Sequence, residues 1–272
     1  MALLHLNFES QYLKNNTDIN IIMPDKPRSQ TPSEFYGGNK KYPVLWLLHG
    51  TYGDYTDWIR KSNIELYACE RDVIVVMPSA LNSNYVDWKG FGIGFEMWSY
   101  LTEELMPLVY NWIPASEKRE DNFIAGLSMG GGGTFQYVAG HPEKFAAAAV
   151  LSMAPINHRR TLAEKVVLER IQTIMDDADS IESFLASPSN PWDLLPELVK
   201  KDVLPRLFFS IGKNDHLYER YLEFKAYAQG LGLKAEFEEI DDFGHEWRFW
   251  DLKIQKALDF FGLTNKSAGN AF

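Results

Sequence analysis

Gly126-Leu127-Ser128-Met129-Gly130 follows the apolar run Asn122-Phe123-Ile124-Ala125. A GxSxG stretch behind a buried strand predicts a strand, a sharp turn and a helix, with the serine at the tip of the turn. Crowding of the backbone there leaves room only for small residues two positions before and after the serine, and Gly126 and Gly130 fill those places. The turn lifts the hydroxyl above the sheet and aims the next helix's N-terminus at it, so that unpaired N–H groups face any negative charge that develops. Five residues match by chance in many chains, and the flanks must carry the reading. Gly131 to Gly133, then Thr134-Phe135-Gln136-Tyr137-Val138-Ala139, give small residues and an apolar helical face, closed by Gly140 and Pro142. Ser128 is the candidate nucleophile.

Outward from this unit, strand-like and helix-like segments alternate, which predicts a mostly parallel central sheet with helices on both faces, an α/β fold in a single domain over residues 1–272. Leu3 to Phe8 and Asp18 to Met23 predict an antiparallel start, and Pro24 to Lys41, rich in Pro, Gly, Ser and Lys, a surface loop. Val44 to Leu48 and Val73 to Met77 are continuous apolar runs, as expected of strands buried on both faces, with a helix at about Asn63 to Glu70 between them. Residues 79–95 form a long loop, of the kind usually tied to function. A helix over Glu96 to Trp112 would carry Trp98, Leu101, Leu105 and Leu108 on one face, and Phe145 to Met153 is another strand. From about 154 to 201 there is far more chain than a simple crossover needs. This stretch is either a lid-like insertion or a solvated crossover with an extra helix. Strands at Leu207 to Ile211 and Ala235 to Ile240, helices at Glu219 to Gln229 and Trp247 to Phe261, and a frayed tail after Leu263 complete the reading.

The net charge of −10 over 272 residues, with no basic stripe, argues against nucleic-acid binding. A lone cysteine, Cys69, excludes an internal disulfide framework and fits a reducing compartment. The N-terminus lacks the pattern of a signal peptide, and no apolar stretch of about 18 residues could span a membrane. These features predict a soluble, cytoplasmic chain with no membrane partner. There is no HExxH and no paired cysteine motif, so no metal and no cofactor is expected.

A serine hydroxyl becomes an effective nucleophile when a base takes its proton, and the base works best when a carboxylate fixes its tautomer. Asp215 ends the strand Leu207 to Ile211 through Gly212-Lys213-Asn214, where parallel strands deliver functional groups. His245 follows one helix and one strand later, in the loop Asp241-Asp242-Phe243-Gly244-His245. Among rival bases, His5, His141 and His158 are poorly placed, His216 would line the pocket or cap a helix, and His49 would hold its loop. Asp193, Asp241 and Asp242 end no central strand. For an oxyanion, the N–H of Met129 is the first donor, and the loop His49-Gly50-Thr51-Tyr52-Gly53 supplies a second, Thr51 or alternatively Tyr52. Trp88, Trp98, Trp247 and His216 are candidates to touch substrate, although most of the eight tryptophans belong to core or rim.

Leu47-Leu48-His49-Gly50, Met77-Pro78-Ser79, Gly126 to Gly131, Gly212 to Asp215 and Gly244-His245-Glu246-Trp247 together resemble the esterase D-like group of α/β-hydrolases. The stretch Lys118 to Ala125 is similar to its tributyrin-esterase and acetyl- or feruloyl-esterase branch. The resemblance implies an α/β-hydrolase fold and a serine carboxylesterase for short acyl esters, with Ser128, Asp215 and His245 as the matching triad. A thioesterase resembling S-formylglutathione hydrolase is the alternative, followed by an acyltransferase or a non-catalytic binding protein. The chain departs from the usual pattern at Gly132-Gly133, which would loosen the start of the helix or allow closer packing. The expected partner is a small-molecule ester, and exposed aromatic loops leave a homo-oligomer open.

Overall fold

The computed structural model describes residues 2–24 and 26–265. In chain order the strands are β1 (Ala2–Ser10), β2 (Asn15–Met23), β3 (Val44–Leu48), β4 (Ile74–Pro78), the short β5 (Asp87–Trp88) and β6 (Phe95–Glu96), β7 (Asn122–Leu127), β8 (Ala147–Leu151), β9 (Arg206–Gly212) and β10 (Ala235–Ile240). The helices are α1 (Pro32–Tyr36), α2 (Asp57–Lys61), α3 (Ile64–Arg71), α4 (Met97–Ser99), α5 (Met106–Trp112), α6 (Met129–Gly140), α7 (His158–Glu164), α8 (Glu169–Asp177), α9 (Ile181–Leu185), α10 (Pro191–Lys201), α11 (Tyr218–Gly230) and α12 (Trp247–Phe260). Eight strands form one sheet in the order β1-β2-β4-β3-β7-β8-β9-β10. β2 pairs antiparallel with both β1 and β4, and every later neighbour is parallel.

Each residue of β3, β4, β7 and β8 is buried, because helices cover both faces of the sheet. The alternation of side chains sorts them into two cores. Trp46 and Leu48 join Phe135 and Val138 of α6 and Phe224 of α11 on one face, while Leu45 and Leu47 join Ala68 of α3 and Ile254 of α12 on the other. Burial of this apolar area stabilises the fold by about 25 cal/mol per Å².

Local differences from the sequence reading have identifiable causes. The loop at 24–41 contains α1, nucleated by a capping box in which Thr31 Oγ1 accepts from Glu34 N–H at 3.2 Å and Thr31 N–H donates to Glu34 Oε2 at 2.7 Å. The 79–95 loop is closed by the antiparallel pair β5 and β6. The helix expected over 96–112 runs from α4 through a π-helical stretch, Tyr100–Leu105, into α5, just ahead of Pro107, which has no N–H to give. Most of the tail expected to fray, residues 266–272, lies outside the described residues.

Between β8 and β9 stand four helices. α10 belongs to the main core, with Leu195 buried and Trp192 stacked on Tyr227 at a centroid distance of 4.2 Å. α8 and α9 instead form a small core of their own from Ile174, Met175, Phe184 and Leu185 with Val86 of the 79–95 loop. Asp177 fastens this cap to the loop by accepting from the N–H groups of Lys89 at 2.7 Å and Gly90 at 2.6 Å.

The two unusual glycines of α6 differ in their surroundings. A Cβ on Gly133 would stand 2.6 Å from ring carbons of Tyr85, whereas one on Gly132 would meet only the Met153 side chain, its methyl at 3.4 Å. Gly133 thus permits the close packing that was one of the two expectations. Gly133→Ala should destabilise the protein by about 1–3 kcal/mol through overpacking. Gly132→Ala should be neutral or stabilise it by up to about 1 kcal/mol through helix propensity. Thermal unfolding of the two variants side by side checks this: a Tm for Gly133→Ala at or above that of Gly132→Ala would contradict the packing account.

Candidate active site

Ser128 joins β7 to α6 with φ 51° and ψ −119°, a left-handed conformation that costs a non-glycine residue about 1–3 kcal/mol. The surroundings enforce it. Ser128 N–H donates to Leu151 O at 2.8 Å, and its carbonyl accepts from Gly132 N–H at 3.0 Å. A Cβ on Gly126 would overlap the Gly130 backbone, and one on Gly130 would lie 2.5 Å from the carbonyl oxygens of both Leu48 and His49. Both small residues that the GxSxG spacing demands are therefore required by backbone contacts, and the half-buried Ser128 hydroxyl is presented at the carboxyl edge of the sheet.

Parallel register brings two further loops to that edge, since Leu127 pairs with Leu151, Leu151 with Ser210, and Gly212 with Ile240. The loops after β9 and β10 are stitched together. Lys213 N–H donates to Ile240 O at 2.8 Å and Asn214 N–H to Phe243 O at 2.9 Å, while Gly212 lies so close to the Phe243 backbone that no side chain fits. This crossing sets Asp215 beside His245, with His245 Nδ1 and Asp215 Oδ2 2.8 Å apart. Leu217 N–H donates to Asp215 Oδ1 at 2.9 Å. Burial by itself would raise the Asp215 pKa, but the His245 hydrogen bond, the Leu217 N–H and a Ser152 hydrogen bond outweigh it and hold the carboxyl below its usual value. An ionised Asp215 fixes the proton of His245 on Nδ1 and leaves Nε2 as the acceptor. Trp250 packs edge-on against the His245 ring at 5.0 Å and donates to Ser152 Oγ at 2.9 Å.

Two of the three rival acids are engaged elsewhere, Asp193 with Arg159 and Asp241 with Lys213. His49 is buried, its Nε2 accepting from Ala80 N–H at 2.8 Å and its Nδ1 facing Gly50 O at 2.7 Å, while Tyr85 donates to its carbonyl at 3.0 Å. Burial pushes its pKa down, consistent with a neutral ring that holds the loop. That loop passes next to Ser128: a Cβ on Gly50 would be 3.4 Å from Ser128 Cβ. Tyr52 N–H is taken by Asn82 Oδ1 at 2.8 Å. Thr51 Oγ1 accepts from Arg170 Nη1 of α8 at 2.9 Å.

The aromatic candidates scatter. His216 is exposed and meets the His245 ring at 4.7 Å. Trp247 packs edge-on against Trp58 and Trp250, at 5.3 Å and 5.2 Å, and Trp98 lies flat on Tyr137 at 4.5 Å. Trp88 donates to Ser83 O at 2.8 Å and lines an open cavity of about 310 Å³ with Leu81, Asn82, Phe91 and Phe95. A smaller cavity of about 70 Å³ lies between α6 and the cap, bordered by Met129, Gly131, Phe135, Met153, His158 and Ile174. Burial lowers the His158 pKa to about 4, so its imidazole is neutral there. Sequence reasoning missed Ser152, Tyr85, Asn82 and Arg170 as parts of the site. Only Ser152 carried a signal, as a polar residue closing a buried strand. Among the described residues, Asp215, His216 and His245 have ligand atoms within 4.8 Å of one another, and a hydrogen bond already joins Asp215 to His245.

A strained serine at the strand-to-helix turn, with a histidine–aspartate pair at the same edge of a mostly parallel sheet, defines a serine hydrolase of the α/β-hydrolase fold. The chain belongs to the esterase family described as "Putative esterase", whose profile matches residues 10–261. It is 29% identical to an acetyl esterase of Caldicellulosiruptor saccharolyticus over 271 residues, covering 96% of this chain and 98% of that one. Two solved structures from Staphylococcus aureus are also similar, each 29% identical and covering 96% of this chain and 98% of the other. The fluorophosphonate-binding serine hydrolase FphF has a TM-score of 0.79, and the S-formylglutathione hydrolase FrmB one of 0.75.

Because the folded-state pKa of Asp215 lies below its unfolded value, the carboxylate stabilises the fold above that unfolded value, and this contribution is lost as pH falls through the folded-state pKa. Unfolding in urea between about pH 5 and about pH 3 should therefore show stability falling more steeply in the wild type than in Asp215→Asn. Parallel slopes would mean that Asp215 is not held in its charged form.

Proposed function

We propose that Ser128, Asp215 and His245 are the catalytic triad of a carboxylesterase acting on short-chain acyl esters of bulky alcohols. His245 Nε2 takes the Ser128 proton as Oγ attacks the ester carbonyl. The tetrahedral oxyanion is met by the N–H groups of Met129 and Thr51. Thr51 is preferred to Tyr52 because the Tyr52 N–H is already used by Asn82. Collapse expels the alcohol, protonated by His245, and leaves an acyl-enzyme that water, deprotonated by the same imidazole, hydrolyses. Asp215 stabilises the imidazolium in both halves. These steps need no metal or cofactor.

The observation that carries this reading is the hydrogen bond between His245 Nδ1 and Asp215 at the edge where Ser128 is forced into its turn. The small cavity beside Met129, about 70 Å³, suits an acetyl to butyryl chain. The open cavity lined by Trp88, Phe91 and Phe95 has aromatic faces on which a sugar or aryl alcohol can stack. The acetyl esterase similarity supports an acetyl group on the acyl side, and the feruloyl esters expected of the branch would have to place their larger acyl group in the small cavity. We read the chain as one domain in which α7 to α9 act as the lid within the 154–201 insertion. Its lone, buried cysteine fits the cytoplasm. No helix among the described residues is long and apolar enough to cross a membrane. The exposed Phe91 and Ile93 of the 79–95 loop leave room for a homo-oligomer.

Hydrolysis of p-nitrophenyl acetate, butyrate and octanoate, acetylated xylose, methyl ferulate and S-formylglutathione tests the assignment. Acetate, butyrate and acetylated xylose should be turned over, and octanoate and ferulate poorly. Ser128→Ala should lower kcat by at least about 1000-fold without loss of fold. Efficient turnover of the thioester alone would transfer the assignment to the thioesterase reading, which the similarity to FrmB favours. An active Ser128→Ala would remove it.

A further inference from the structure

Arg170 stands on α8 of the cap, and its guanidinium reaches down to the loop that borders Ser128. Nη1 donates to Thr51 Oγ1 at 2.9 Å, while Nη2 is buried with no hydrogen-bond partner among the described residues. Its neighbours in the cap are neutralised: Arg159 by Asp193 and Arg160 by Glu223. Among the described residues no carboxylate pairs with Arg170, in a chain whose net charge is −10. Burial weakens the hold of Arg170 on its proton, and the titratable side chain that bears on it among the described residues is the exposed Tyr52.

A desolvated guanidinium without a counter-charge is costly, and proteins normally pair it. We propose that Arg170 is a positioning residue for the oxyanion hole: it clamps Thr51 from the lid, and its missing counter-charge is the oxyanion of the tetrahedral intermediate. The Thr51 side chain that Arg170 holds belongs to the residue whose N–H is read as the second oxyanion donor, so orienting one orients the other. Negative charge absent from the bound ester appears on the carbonyl oxygen as the tetrahedral state forms, and only then does the partly buried cation gain a partner. An interaction that strengthens between ground state and transition state raises kcat and leaves KM nearly unchanged. Because α8 is part of the cap, the hole is complete only when the cap is seated on the loop at 49–53.

This inference rests on the triad reading, and its test separates the two. Labelling of the wild type, but not Ser128→Ala, by an aryl phosphonate secures Ser128 independently of Arg170. Steady-state kinetics on p-nitrophenyl acetate are then compared for wild type, R170K, R170Q, T51V and R170Q/T51V. T51V removes the hydroxyl that Arg170 grips and keeps the backbone N–H. R170Q should lower kcat by about 10- to 100-fold, less than the loss of a direct oxyanion donor, with KM within about threefold of wild type. The phosphonate labelling rate should fall in parallel with kcat, since labelling passes through a similar charged state. R170K, which keeps the charge, should recover most of the lost kcat. The double variant should be no more than about twofold worse than the more impaired single variant, because the two side chains act as one unit. A kcat for R170Q within about twofold of wild type, or a raised KM at unchanged kcat, would overturn the proposal. So would an R170K as impaired as R170Q, or fully additive losses in the double variant. Should R170Q fail to fold, as judged by circular dichroism, R170K and T51V decide on the same criteria: R170K near wild type with T51V reduced in kcat alone supports the clamp, and T51V at wild-type kcat refutes it.

Discussion

The close crossing of the turn at residues 126–130 over the end of β3 is the constraint from which the rest of the site follows. Two backbones meet there with carbonyl oxygens of Leu48 and His49 pressed against Gly130, and the approach is possible only because that residue and Gly126 carry no Cβ. The same approach drives Ser128 into a left-handed conformation and brings the loop after β3 alongside its side chain. A hydroxyl at the tip of a turn and backbone donors beside it are thus two results of one steric event. The energetic cost of the strained serine is small against the two cores that flank the sheet, each of which buries strands along their full length.

Around that crossing the buried polar groups fall into two kinds. His49 is kept neutral by burial and spends both ring nitrogens on backbone partners, so it works as a fixed strut. Asp215 is almost equally enclosed, yet its hydrogen bonds outweigh desolvation and keep it charged. Similar burial with opposite outcomes is what separates a histidine that holds a loop from a carboxylate able to orient a base.

The mostly parallel sheet and the strand-end placement of Ser128, Asp215 and His245 were legible because each rests on local pattern: an apolar run, then glycine, then a polar residue at a strand's carboxyl end. Interactions joining segments far apart in sequence were not. Nothing around Arg170 indicates that it will reach Thr51, and nothing around Gly133 indicates that Tyr85 will occupy the space left by its missing side chain. The tryptophans were ambiguous for a related reason. Trp98 and Trp247 lie on other aromatic rings, whereas Trp88 lines a cavity, and composition cannot separate these situations. The capping box at Thr31 was a local signal that a loop-like composition concealed.

The loops bearing Asp215 and His245 are joined through their main chains, by Lys213 to Ile240 and Asn214 to Phe243, whereas the loop bearing Thr51 is held mostly by side chains, those of His49, Tyr85, Asn82 and Arg170. Main-chain bonds survive almost any substitution, and side-chain bonds do not. The two halves of the candidate site therefore differ in how readily mutation can reshape them: the paired loops of Asp215 and His245 are insulated from sequence drift, while the loop of Thr51 is open to it.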